Sequence, residues 1–178
     1  MPIITKEEGL KRFRFGVARL LAAVEDIPPL CLIPTKDGGA AMEGVILPQE
    51  APQVDKCEKM FRLGFLAARS DQVPLDLEYM LFGSLGWIVK KKPGAPLVGQ
   101  IKDQPDAEEI LQVLVSSREG GAIEGWLYSV ARSNGQVSLD KQRSMGQSIK
   151  SPLTMSFWAG FSVGTMAGDL VGFARSAE

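Results

Sequence analysis

The spacing of apolar residues changes along this chain, and that change constrains the fold more than any other feature. In residues 5–26 and 53–69 the apolar side chains recur every three or four positions, which is the period of an amphipathic helix. From residue 77 onward they alternate or cluster between turn residues, as is typical of strands. A helix, a hairpin, a second helix and then a run of strands predict an α+β fold.

Capping and breaking residues mark the ends of the helices. Thr5 and Glu8 form the S/T-x-x-E pair, in which each side chain satisfies a backbone donor of the other residue, so the first helix begins there. Pro28 and Pro29 end it, because proline cannot donate the helical hydrogen bond. The stripes predicted to face inward are Leu10, Phe13, Val17, Leu20, Leu21 and Val24 in the first helix and Val54, Cys57, Phe61, Gly64, Phe65 and Ala68 in the second.

Turn chemistry places the strands. Asp37-Gly38-Gly39 joins residues 30–34 to residues 41–47 as a hairpin, since glycine adopts a positive φ without steric cost. Residues 77–89 are predicted to form a further strand, with a bulge at one of their two glycines.

A β-meander is predicted from residue 109 to residue 140. Asn134-Gly135 is its strongest hairpin signal, because both central positions of a type I′ turn need a positive φ. A helix over residues 106–117 is the alternative for its first strand, given the acidic residues at its start. The expected architecture is an antiparallel or mixed sheet of five to six strands, built from hairpin and meander, with the two amphipathic helices packed on it.

We expect one α+β domain over residues 1–178, because about 150 residues is the usual size of a domain. Residues 151–178 are glycine-rich and are interpreted as a packing or oligomerisation tail. No charge lies between Lys150 and Asp169, and the glycines at 160, 164, 168 and 172 would leave a bare groove on a helix. Three interpretations stay open, namely a membrane span, a self-association surface and packing within the chain.

A short echo connects three helical segments. Phe13-Arg14-Phe15-Gly16 resembles Phe61-Arg62-Leu63-Gly64, and Phe157-Trp158-Ala159-Gly160 resembles both more loosely, but no regular repeat follows from this. Coincidence or shared helix-packing chemistry is the preferred explanation. For the self-association interpretation, the surface would comprise Phe157, Gly160, Phe161, Gly164 and Gly168.

The chain holds little that could act in catalysis. It has no histidine, which removes the usual general base and most zinc sites, and neither a P-loop nor a G-x-G-x-x-G is present. Cys31 and Cys57 are too few for a four-cysteine zinc site and are interpreted as small buried hydrophobes. Ser138 and Lys141 match S-x-x-K, but on a strand they would point to opposite faces. We therefore predict no catalytic residue, no metal and no cofactor.

Charge and cysteine content limit the partners and the compartment. Twenty basic and twenty-one acidic residues leave a net charge of −1, which argues against nucleic-acid binding by bulk electrostatics and makes self-association unsurprising. Two cysteines, and a start without the uninterrupted apolar stretch of a signal peptide, predict a cytoplasmic protein.

The meander offers the best generic binding surface. Glu124, Trp126, Tyr128 and Arg132 are predicted to share one face of a strand, although a helix that covered that face would turn Trp126 and Tyr128 into core residues. The first hypothesis is a non-catalytic binding or assembly module whose partner is itself or another protein. A histidine-independent enzyme or small-ligand binder using Asp, Glu, Arg or Lys is the second, and a protein associated with membranes through residues 151–174 is the third.

Overall fold

The computed structural model describes residues 3–47, 50–89, 100–118, 123–147 and 151–176. Its helices and strands follow one another as α1 (Lys6–Ala23), β1 (Leu30–Pro34), β2 (Ala40–Gly44), α2 (Gln53–Arg69), β3 (Tyr79–Val89), β4 (Ala107–Ser117), β5 (Ile123–Ser133), β6 (Gln136–Gln147) and α3 (Pro152–Ser176). The six strands form one antiparallel sheet in the order β2-β1-β3-β4-β5-β6. The predicted α+β class, with helices packed on a sheet of hairpin and meander, is confirmed.

Helix α1 lies on one face of the sheet and contacts both of its outer strands. Gly16 faces Met42 of β2, and Arg14 donates a hydrogen bond of 2.7 Å to the carbonyl oxygen of Leu139 in β6. The sheet therefore curves around α1. The core on this face comprises Ile4, Phe13, Val17, Leu21, Leu30, Leu32, Tyr79, Leu81, Leu111, Val113, Val115, Tyr128 and Leu139.

The glycine at position 83 explains how α1 approaches the sheet so closely. A Cβ there would lie 2.5 Å from ring atoms of Phe13, which is fully buried. The prediction of a bulge in this strand is wrong, because β3 pairs with β4 in unbroken register from Tyr79–Ser117 to Val89–Ala107. Gly83 is needed because it leaves room for the Phe13 ring, and not because the strand bends there.

Helices α2 and α3 cover the opposite face. Their core comprises Cys31, Ile33, Val45, Met60, Ala67, Ala68, Val73, Leu77, Met80, Phe82, Leu114, Ile123, Phe157, Trp158 and Phe161. The two helices run in the same direction, since Gly160 lies against Phe61 and Gly164 against Phe65. Within the described part of the chain, no helix is long and apolar enough to cross a membrane.

The contact between α2 and α3 accounts for the resemblance between the Phe61–Gly64 and Phe157–Gly160 segments. A Cβ on Gly64 would lie 2.0 Å from the carbonyl oxygen of Phe157, and one on Gly160 would lie 1.9 Å from that of Phe61. The two Phe-x-x-Gly segments thus pack against each other reciprocally, each glycine receiving the carbonyl of the other segment's phenylalanine. Shared helix-packing chemistry explains the resemblance of these two segments, whereas Gly16 of the first segment faces Met42 of β2 instead.

Several boundaries and orientations differ from the predictions. The alternative of a helix over 106–117 is wrong, since those residues lie mostly in β4, whereas Asn134 and Gly135 do take positive φ values of 49° and 74°. Strand β6 continues seven residues past the predicted end at residue 140. Leu20, Val24 and Val54 were assigned to the inward stripes but are exposed, Leu20 because it lies to the side of the Phe13–Val17–Leu21 stripe and the two valines because they lie at or beyond a helix end.

Candidate functional site

A cleft of about 540 Å³ opens between the first half of α1 and the strands that curve around it. One side of α1 forms its first wall, and residues of β4, β5 and β6 form its floor and second wall. Its lining comprises Lys6, Glu7, Leu10, Lys11, Arg14, Val115, Glu124, Trp126 and Gln142. We call this cavity the α1 cleft.

The irregular pairing of β5 and β6 lies beside Trp126 in this cleft. Gly125 is opposite Gly146, but Trp126 is opposite Ser144, so one extra residue is accommodated in β6. Gly146 permits this with a φ of 95°, which a residue bearing a side chain rarely adopts. A bulge of this kind redirects the neighbouring side chains, and here it lies at the wall that carries the indole.

Three cationic side chains line the α1 cleft without an ion pair among the described residues. Lys6 donates a hydrogen bond of 2.9 Å to the hydroxyl of Ser117, and Arg14 bonds to the backbone of β6. The ion pairs of the described chain lie elsewhere, at Arg12–Glu8, Arg62–Glu58, Arg132–Glu109 and Arg143–Glu108. Unpaired charges beside an aromatic wall are what a polar ligand needs for orientation.

Arg14, which lines the α1 cleft, lies over the ring of the buried Tyr128. The guanidinium carbon is 4.5 Å from the ring centroid, which is the geometry of a cation–π contact. Burial raises the pKa of the Tyr128 phenol, and the positive charge of Arg14 opposes that rise. Neither the Tyr128 hydroxyl nor Nε of Arg14 has a hydrogen-bond partner among the described residues.

A second cavity of about 840 Å³ adjoins the first at Lys6 and Glu124, which line both. Its other lining residues are Asp76, Leu77, Glu78, Ser117 and Arg118. The guanidinium of Arg118 is already engaged, because it donates 2.8 Å to the carbonyl oxygen of Leu75 and lies 5.3 Å from the centroid of the Phe161 ring. We call this cavity the Asp76 cleft, and the two together the groove.

The four predicted binding residues do not form one surface. Glu124 and Trp126 line the α1 cleft, while Tyr128 is fully buried beneath Arg14. Trp126 and Val130 also pack against the α1-side core, so α1 covers part of the predicted face.

Arg132 lies at the far end of the same strand, where it holds the end of α1. It forms two hydrogen bonds to the Glu109 carboxylate, of 2.8 and 3.0 Å, and donates to the carbonyl oxygens of Leu21 and Glu25. These contacts raise the pKa of Arg132, chiefly through the hydrogen bonds to Glu109. Its geometry is that of a cation that caps the carbonyl end of a helix.

The predicted self-association residues lie mostly between α3 and the rest of the chain. Phe157 and Phe161 are fully buried, and Gly160 and Gly164 face the backbone of α2. The surroundings of Gly168 lie outside the described side chains. The four described residues are therefore not on a free surface, because α2 supplies the closely approaching backbone that the glycine ladder needs.

Lys6, Lys11 and Arg14 were not identified as site residues from the sequence. A 3.6-residue period assigns them only to the polar side of a helix, and it gives no sign that the sheet curves up beside them. That these cations form no ion pair with a described residue depends on long-range placement, which no local pattern shows.

The described residues provide little for catalysis. They contain no group of three or more potential metal-ligating side chains. Cys31 is fully buried, and this burial raises the pKa of its thiol far above the usual range, which leaves it inert as a nucleophile. Comparisons with protein families, with curated proteins and with solved structures gave no match.

Proposed function

We propose that this protein is a non-catalytic binding module whose ligand occupies the α1 cleft. The observation that carries the proposal is that Lys6, Lys11 and Arg14, which form no ion pair with any described residue, meet the indole of Trp126 in one cavity. A volume of about 540 Å³ lies within the range of about 300–1,000 Å³ that is usual for ligand sites. We place this function in the cytoplasm, as the cysteine content predicts.

The charges of the cleft favour a ligand with an anionic group beside an apolar or aromatic one. Lys11 and Arg14 supply cations, and Leu10 and Trp126 supply apolar contact area. Glu7 and Glu124 lie in the same lining and would discriminate against ligands of high negative charge.

Ligand-observed NMR with a panel of aromatic and aliphatic carboxylates tests this proposal. We expect binders whose saturation-transfer signal is lost in Lys11→Glu, because the reversal places a third carboxylate in the cleft. Lys102→Glu is the matched control, since it makes the same change at an exposed residue that lines neither cleft. Carboxylates that bind equally to all three proteins, or to none, would overturn the proposal.

Self-association is a second candidate function, favoured by the outer side of α3. Met155 is 59% exposed and Met166 57% exposed, and Ala159 and Val163 lie between them at helical spacing on the same side. The sequence from 151 to 168 carries no charge, so two copies could bring these sides together without repulsion. In this proposal the outer side of α3, and not its glycine ladder, meets a second copy.

A further inference from the structure

The groove is electrically polar along its length. Apart from the two shared residues, the α1 cleft carries Lys11 and Arg14 against one carboxylate, Glu7, and so has a net positive charge. The Asp76 cleft carries Asp76 and Glu78 against one cation, Arg118, and so has a net negative charge. Lys6 and Glu124 at the junction balance each other.

The polarity is available to a ligand, because within the described part of the chain the charges at both ends lack an ion-pair partner. Among the described residues, Lys11 and Glu7 at one end and Asp76 and Glu78 at the other form no ion pair. Arg14 and Arg118 are engaged in the same way, Arg14 by the Leu139 carbonyl and the Tyr128 ring and Arg118 by the Leu75 carbonyl and the Phe161 ring. These contacts hold the two guanidinium groups in place without cancelling their charge, so each cleft keeps the net sign that its residues give.

The size of the groove favours a ligand longer than a small zwitterion as the one that meets the charges of both ends. The two cavities, of about 540 and 840 Å³, together exceed the range of about 300–1,000 Å³ that is usual for small molecules. An amino acid places its two charges within one residue, whereas the charges of this groove lie in separate clefts on either side of Lys6 and Glu124. A chain of several residues is needed to reach from one cleft to the other.

We propose that the ligand of the groove is an extended peptide segment with acidic residues at one end and basic residues at the other. This inference rests on the proposed binding function and specifies its ligand class. The acidic end lies by Lys11 and Arg14, with an adjacent apolar side chain against Trp126. The basic end lies by Asp76 and Glu78. Complementary charges of this kind fix the direction of the bound chain.

Fluorescence anisotropy with three labelled decapeptides of equal length tests the inference. The first has two glutamates at one end and two lysines at the other, with leucine and alanine between them. The second has the same composition with alternating charges, and the third is uncharged. We expect the first peptide to bind at least fivefold more tightly than either of the others, and less tightly as salt increases.

Charge reversal in the protein provides the decisive comparison. Lys11→Glu makes both clefts negative and Asp76→Lys makes both positive, so each alone should weaken the first peptide at least fivefold. The double variant reverses the polarity of the groove, and the peptide can then bind in the opposite direction. We expect the double variant to recover affinity to within about threefold of the natural protein.

The outcomes separate this inference from the proposed function. Peptides that bind equally well whatever their charge order, or a double variant weaker than both single variants, would overturn the peptide inference. If a carboxylate still bound the α1 cleft and was lost in Lys11→Glu, the binding function would stand with a different ligand. Failure of peptides and carboxylates alike would overturn both.

Discussion

At the scale of the residue, Tyr79 shows how one polar group in the core sets the position of a helix. Its hydroxyl lies 2.9 Å from the carbonyl oxygen of Ile4 and 2.8 Å from that of Thr5, at the point where α1 begins. Gly9 allows this, because a Cβ there would lie 2.6 Å from the same hydroxyl. The phenol therefore fixes the start of α1 on the sheet and satisfies a buried donor at the same time.

The raised pKa of the Tyr79 phenol predicts that the folded protein loses stability at alkaline pH. Burial raises the pKa of its phenol to about 12, so the unfolded chain releases this proton at a lower pH than the folded chain. Stability from this group is complete below about pH 10 and is lost as the pH rises toward 12, and we expect a loss of about 1 kcal/mol between pH 9 and pH 11. Denaturant unfolding at the two values measures it.

Tyr79→Phe should be less stable than the natural protein at pH 9 and should lose less stability between pH 9 and pH 11. Part of the dependence will persist, because burial also raises the pKa of Tyr128. An identical loss in the variant and the natural protein would show that Tyr79 does not titrate in this range.

At the scale of the element, the crossing of α2 and α3 depends on glycines that an isolated helix would not favour. Gly64 and Gly160 each leave room for a carbonyl oxygen of the other helix. A Cβ on Gly164 would likewise lie 2.8 Å from the carbonyl oxygen of Phe65. Trp158 then reaches the sheet, where its indole nitrogen donates 2.9 Å to the hydroxyl of Ser116. The low helix propensity of glycine is offset by this close packing.

Gly160→Ala should destabilise the protein although alanine favours helices. The added methyl would lie 1.9 Å from the Phe61 oxygen, so the helices must move apart, and we expect a loss of about 2–3 kcal/mol in urea unfolding. Gly16→Ala in α1 is the control, because its new methyl meets only the mobile end of Met42. It should change stability by less than about 1 kcal/mol, and equal losses in both variants would contradict the argument.

Arg132→Ala should loosen the end of α1. The variant removes the pair with Glu109 and the bonds to the Leu21 and Glu25 carbonyls, for which we expect a loss of about 1–3 kcal/mol. Hydrogen exchange should accelerate in the last turn of α1. Arg62→Ala breaks an exposed pair on α2 and should cost less than about 0.5 kcal/mol, so a similar cost for both would count against the role of Arg132.

Local patterns predicted the elements better than their contacts. The bounds of α2, the Asn134-Gly135 turn and the class of the fold follow from periodicity and turn chemistry, which act over a few residues. The contact of α1 with both outer strands does not follow from local patterns, because it depends on how far the sheet curves. Glu124 and Trp126 were found as candidate site residues by strand alternation, while the α1 cations beside them were not.

At the scale of the whole molecule, the outer side of α3 predicts a mass that depends on concentration. Light scattering should give values above the 19.3 kDa of one chain as concentration rises. Met155→Lys should return the mass to that of one chain, because a charge in the contact would be buried without a partner. Leu66→Lys is the control on the exposed side of α2. A single-chain mass for the natural protein at all concentrations would contradict self-association.

The curvature of the sheet around α1 has a consequence for the order of events during synthesis. Helix α1 leaves the ribosome before β6, because the Leu139 carbonyl that receives Arg14 is made 125 residues after that arginine. At about 5–20 residues per second, the apolar side of α1 waits about 6–25 seconds for its last neighbours. During that interval Phe13, Val17 and Leu21 are open to any apolar surface nearby, so the nascent chain should depend on molecular chaperones more than the finished protein does.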